Sequence, residues 1–239
     1  MKANAAVPVL LLVLGMLRPV PSQAHAAGAG ESVPERVASL KQSLAQSQKS
    51  LRAYQWVETT TVSFKGEQKS FKEESCYYGA DGALQKLPIA SSPPPQKKGG
   101  LRGKIAEKKK EELSDTMKQA VALVKSYVPP DSASIQRAVD AGKASVEIVQ
   151  PGKLVRLVFR DYRLPGDSLA ITVDVTNNHL AGMTVATYLG EPSKPVDMNA
   201  TMGSLADGTT YTASTQLTLP AEQIGVNVAN SGYRKLGGP

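Results

Sequence analysis

The sequence predicts an α+β fold: a strongly curved antiparallel sheet of about nine strands, a half-open barrel, covered by an N-terminal helix and a two-helix insertion. Three observations predict it. From Lys143 onward, short runs alternate apolar and polar residues and are separated by turn signals. Upstream, separate stretches repeat apolar residues at helical spacing and need a surface to cover. Alternation also leaves each strand one apolar face, and a meander sharing such a face must bury it. A long meander curls as it twists, which predicts a bent layer with helices on its concave side.

The first helix runs from Pro34 to about residue 53. Ser32 can cap it, Pro34 is tolerated in a first turn, and Glu35 suits the positive end of the helix dipole. Val37, Leu40, Leu44 and Leu51 form its stripe. In the following segment, "YQWVETTTVSFKGEQKSFKEESCYYGADG", turns at Lys65-Gly66-Glu67 and Ala80-Asp81-Gly82 predict a hairpin and a short third strand. Tyr54, Trp56, Val62 and Phe64 share a face there with Glu58 and Thr60. A carboxylate among aromatics can work as an acid, but more commonly it sits at a strand edge or pairs with a nearby lysine, and one of these two is expected.

"SSPPPQKKGGLRGKIAEKKK" follows, predicting a basic Pro/Gly-rich loop over 89–104. A helix then runs from about Ile105 to Val128. Leu113, Met117, Val121, Val124 and Val128 line one side, and Pro129-Pro130 stop it. Asp131 caps a short helix to Ala141, ended by Gly142. In the meander, Val155, Leu157 and Phe159 share a face, as do Leu169, Ile171 and Val173. So do Val196, Met198, Ala200 and Met202, then Tyr211, Ala213, Leu217 and Leu219, and finally Ile224, Val226 and Val228.

The first residues carry an address. Lys2 precedes an apolar run from Ala5 to Leu17, and Ala24-His25-Ala26 ends in the Ala-x-Ala manner, predicting a signal peptide over 1–26, cut near Ala26. The run is too short to span a bilayer. A periplasmic or secreted protein, one domain over 27–239, is expected. Losing Lys2 and Arg18 lowers the formal charge of +7 by two, leaving a modest basic bias. Cys76 is the single cysteine, so no internal disulfide forms, and it reads as a small buried hydrophobe.

Catalytic chemistry finds little support. His25 leaves with the signal peptide, and His179 beside Asn177-Asn178 reads as a hairpin residue. Ligands at metal spacing, a phosphate-cradling glycine loop and a nucleophile elbow are all missing from the sequence. Asp161 and Asp167 flank "YRLPG", which reads first as a turn capped by its own aspartate. The expectation is a protein without enzymatic activity, metal or cofactor.

Lys97, Lys98, Arg102, Lys104, Lys108, Lys109 and Lys110 face only Glu107 within the basic stretch. Nucleic acid is not the expected partner, since aromatic residues do not interleave with these charges. The stretch reads first as a hydrated connector. Its alternative role is contact with an anionic membrane surface, where each cation contributes about 1 kcal/mol.

The order of elements, an exported chain with an amphipathic helix, a hairpin, a helical insertion and a long meander, resembles the LolA/LolB-like lipoprotein carriers of Gram-negative envelopes. The resemblance implies a carrier-like shape but carries no residue role across. It supports an expectation of an apolar ligand, a lipid or lipoprotein acyl chain, held between sheet and helices. Trp56, Phe64, Met183, Met198 and Met202 are the candidate walls, because thioethers and aromatics adapt to irregular guests. The alternative is a structural or interaction module of the cell envelope whose core fills itself.

Overall fold

Turn chemistry and alternation fix the elements locally, and one long-range pairing turns them into a single sheet. The computed structural model describes residues 33–93 and 100–237; the expected export signal, Lys97 and Lys98 lie outside them. Helix α1 (Val33–Leu51) leads into β1 (Tyr54–Phe64), β2 (Glu67–Tyr78) and β3 (Leu84–Ser91). Helices α2 (Gly100–Lys125) and α3 (Ser132–Asp140) follow. The meander is β4 (Ala144–Gln150), β5 (Leu154–Arg160), β6 (Ser168–Asp174), β7 (His179–Tyr188), β8 (Pro195–Ser204), β9 (Thr210–Leu219) and β10 (Ile224–Lys235). The fold is α+β, with one ten-stranded antiparallel sheet in place of the nine strands expected.

Lys65 and Gly66 both take positive φ, 54° and 76°, which gives the two-residue hairpin turn and sets Phe64 opposite Glu67. Every later connection in the meander likewise joins neighbouring antiparallel strands. The exception is the pairing of β1 with β10, which runs from Tyr54 opposite Lys235 to Phe64 opposite Ile224. It joins the N-terminal three strands to the C-terminal seven, in the order β3-β2-β1-β10-β9-β8-β7-β6-β5-β4.

The sheet is neither closed nor strongly curled, which corrects the half-open barrel. Edges β3 and β4 stay apart because the helices supply the cover that bending would otherwise provide. Helix α1 lies against β1, β7 and β9, and α3 against β4 and β5. From α2, Ala120 and Val124 enter the core with Leu169, Val185, Val196 and Leu219, and Tyr127 and Val128 just beyond the helix join them. Beyond the helices' reach, Val146 and Ile148 of β4 remain 67% and 72% exposed, although their register places them on the covered face.

The expected loop over 89–104 is also shorter than its sequence suggested. Strand β3 extends to Ser91 and α2 begins at Gly100, with Arg102 and Lys104 in its first turns. Lysine, glutamate and alanine favour helix enough to offset basic residues at the positive end of the dipole. Among the described residues, no helix is long and apolar enough to cross a membrane.

A buried carboxylate fixes the far end of α2. The Tyr127 hydroxyl donates to Asp167 Oδ2 at 2.5 Å and lies 2.7 Å from Thr187 Oγ1. Asp167 also accepts from the backbone N–H groups of Arg163 (3.1 Å) and Leu164 (2.8 Å), so the turn is indeed capped by its own aspartate. Asp161 accepts from the Gly166 N–H and pairs with Lys143 at 2.7 Å. Asp131 caps α3 as expected, accepting from Ser134 N at 2.8 Å. Asp167 is only 2% exposed, so Asp167→Ala strands three donors and should lower unfolding stability by about 3 kcal/mol in urea titration.

Candidate ligand cavity

Between the sheet and its helices lies a cavity of about 560 Å³, in the range of small-molecule sites. It spans the β1–β10 seam. Leu44, Gln48 and Leu51 of α1 and Val121, Val124 and Lys125 of α2 form its roof. Leu180 and Met183 of β7, Met198, Ala200 and Met202 of β8, and Leu217 of β9 form an apolar wall. Val226 and Val228 of β10 continue that wall toward the seam.

The alternation of β8 was legible: Val196, Met198 and Ala200 are buried and the residues between them exposed. That of β9 changes phase. The β8–β9 register shifts between Thr201 and Met202, which sets Met202 opposite Thr212 while Met198 stays opposite Leu217. A bulge re-aims the residues beyond it. Thr212, expected to face away, consequently lines the cavity, and Thr209 and Thr210 are buried. The Thr210 N–H donates to Ser47 Oγ at 3.0 Å and ties α1 to the sheet.

The wall across the seam is polar. Glu58 of β1 stands opposite Glu74 of β2, and both carboxylates border the cavity while only 5% and 7% exposed. Lys86 of β3 reaches Glu58 Oε1 at 2.5 Å, and Lys72 of β2 reaches Glu74 Oε1 at 2.5 Å. Of the two expected arrangements, Glu58 therefore takes the pairing with lysine. Glu74, Lys72 and Lys86 were missed, although Lys72, Glu74 and Cys76 alternate in phase along "KEESC".

Among the candidate wall residues, Met183, Met198 and Met202 border the cavity. Trp56 and Phe64 take other places. Trp56 stacks on Tyr233 with ring centres 5.5 Å apart and donates to Asn230 Oδ1 at 3.1 Å. Asn230 in turn borders the cavity and donates to the Thr212 carbonyl at 2.9 Å. Phe64, half-buried, packs against the main core. Lys108, Lys109 and Lys110 are exposed on α2, away from this lining. Among the described residues, no group of three His, Cys, Asp or Glu side chains could hold a metal ion.

Fold and cavity together define an antiparallel sheet roofed by helices over a partly open amphipathic space. In structure the chain is similar to a LolA superfamily protein from Nitrosomonas europaea, at 9% identity and a TM-score of 0.34, covering 84% of this chain and 94% of that one. It is similar to a DUF1329 family protein from Desulfovibrio piger at 10% identity and a TM-score of 0.33, with the same coverage. No family model and no curated protein matches the sequence.

Cys76 lies beneath the polar wall, opposite Trp56 on β1 and Lys86 on β3, with none of its surface exposed. Burial, and then the nearby Glu58 carboxylate, push its thiol up to about 11. The thiolate is the reactive form. In native protein at pH 8, Cys76 should resist a disulfide reagent over hours, and in denaturant it should react within minutes, as followed by thiol release.

Proposed function

We propose that this protein is an exported, non-catalytic carrier that holds an apolar ligand, a lipid or lipoprotein acyl chain, between its sheet and helices. The observation that supports this reading is the hollow between sheet and helices. It is partly open at the surface, holds about 560 Å³, and has Met183, Met198, Met202 and Leu217 on one wall, a size and lining in the range of small-molecule sites. Methionine adapts its shape at little cost, so three of them on one wall suit guests of irregular length. The exposed Lys108, Lys109 and Lys110 on α2 suit reversible contact with an anionic membrane during loading or release.

Delipidated protein titrated with a fluorescent fatty acid should show saturable uptake. Ala200→Phe, which places a ring into the empty space, should weaken that uptake about tenfold, equivalent to roughly 1.4 kcal/mol. Absence of saturable uptake by the unsubstituted protein removes the proposal.

A further inference from the structure

Resting on the carrier reading, we infer that the preferred guest is an amphiphile with a zwitterionic head. Its charged end meets the β1–β3 wall, and its hydrocarbon lies along β7 and β8. The two walls differ in kind. Met183, Met198 and Leu217 offer nothing to a charge, whereas Glu58, Glu74, Lys72 and Lys86 all border the same space from across the seam.

Such a wall is costly without a polar guest. Burying ion pairs generally stabilises no more than packing apolar residues of similar volume. Carboxylates directly opposite each other on neighbouring strands also repel, and Glu58 and Glu74 occupy that arrangement. A purely hydrocarbon ligand would be served better by more methionine and leucine.

The balance of charge selects the head. Two carboxylates and two ammonium groups leave the wall with no net charge, and Lys125 adds one exposed cation from the roof. A fatty-acid head would approach lysines and an equal number of carboxylates, and an alkylammonium head would meet the converse. A head carrying both signs can set its ammonium between Glu58 and Glu74 and its anionic group on the lysines. Lys72, whose side chain is 47% exposed, has the freedom to turn toward such an anion, while Lys86, at 11%, stays held on Glu58.

The test is competition against a bound neutral dye, using the full native chain. Ligands of one chain length should carry a phosphoethanolamine, carboxylate, ammonium or hydroxyl head. The zwitterion should compete about tenfold more tightly than the alcohol, and more tightly than either singly charged ligand. Glu58→Gln combined with Lys86→Gln should remove that preference, read as the ratio of head-group affinities within the variant. Lys72→Gln, at a half-exposed site, should reduce it on its own in protein whose fold is verified by circular dichroism. Dye uptake with a flat ranking of heads overturns this inference and leaves the carrier reading standing, as does a preference that survives both sets of substitutions. No dye uptake removes both.

Discussion

The contact between Tyr127, Asp167 and Thr187 fixes the long insertion helix against the sheet, and the cavity depends on where that helix ends. Asp167 belongs to the β5–β6 connection and Thr187 to β7, so one hydroxyl ties α2 to two parts of the meander. With that end anchored, Ala120 and Val124 settle on Leu169, Val185 and Val196, while Val121 remains at the cavity roof. Residues 107–112 of α2 are polar and exposed. The helix's buried end is stabilised by tertiary packing, which is what stabilises most helices in proteins. Burial pushes the Tyr127 hydroxyl well above its ordinary range, with the Asp167 hydrogen bond adding to the effect, so it stays a donor at any physiological pH.

The cavity owes its two-sided character to the seam. Strands β7 and β8 line the cavity with Leu180, Met183, Met198, Ala200 and Met202, and β1–β3 come from a hairpin rich in glutamate and lysine. Pairing β1 with β10 brings these different compositions to one space. Aromatic residues finish the polar side at the end nearest Tyr54. Trp56, Tyr78, Tyr211 and Tyr233 pack edge and face, and Tyr54 donates to Asp207 at 2.6 Å. Asp207 is thereby held well below the usual carboxylate range, chiefly by that hydrogen bond and by Thr209.

What the sequence made legible was local. The Lys65-Gly66 turn, the Asp131 cap, the Asp167-capped turn and the alternation of β8 each follow from a few neighbouring residues, and each is present. The α+β class and the three helices followed from periodicity. The sheet's openness did not, because curvature depends on how helices and strands share the burial of one apolar face. The phase change in β9 was hidden because a bulge costs one residue and leaves no signature in composition. Met198 and Met202 were legible as sharing one face of an alternating strand, and Met183 was legible only as a residue type suited to a cavity wall. The partners of Glu58 were not, since Lys86 becomes its neighbour only through the pairing of β2 with β3.

The seam between β1 and β10 has a consequence for the order of assembly. This pair is built from the first and the last strand in sequence order, so a ribosome delivers its second member after all the other strands. Until residues 224–235 emerge, the three strands β1–β3 and the six strands β4–β9 share no hydrogen-bonded boundary. Contacts so distant in sequence also slow closure, because a long loop must be ordered before they form. A nascent chain of this topology has no continuous sheet until β10 has been made, so the layer closes by the arrival of its last strand.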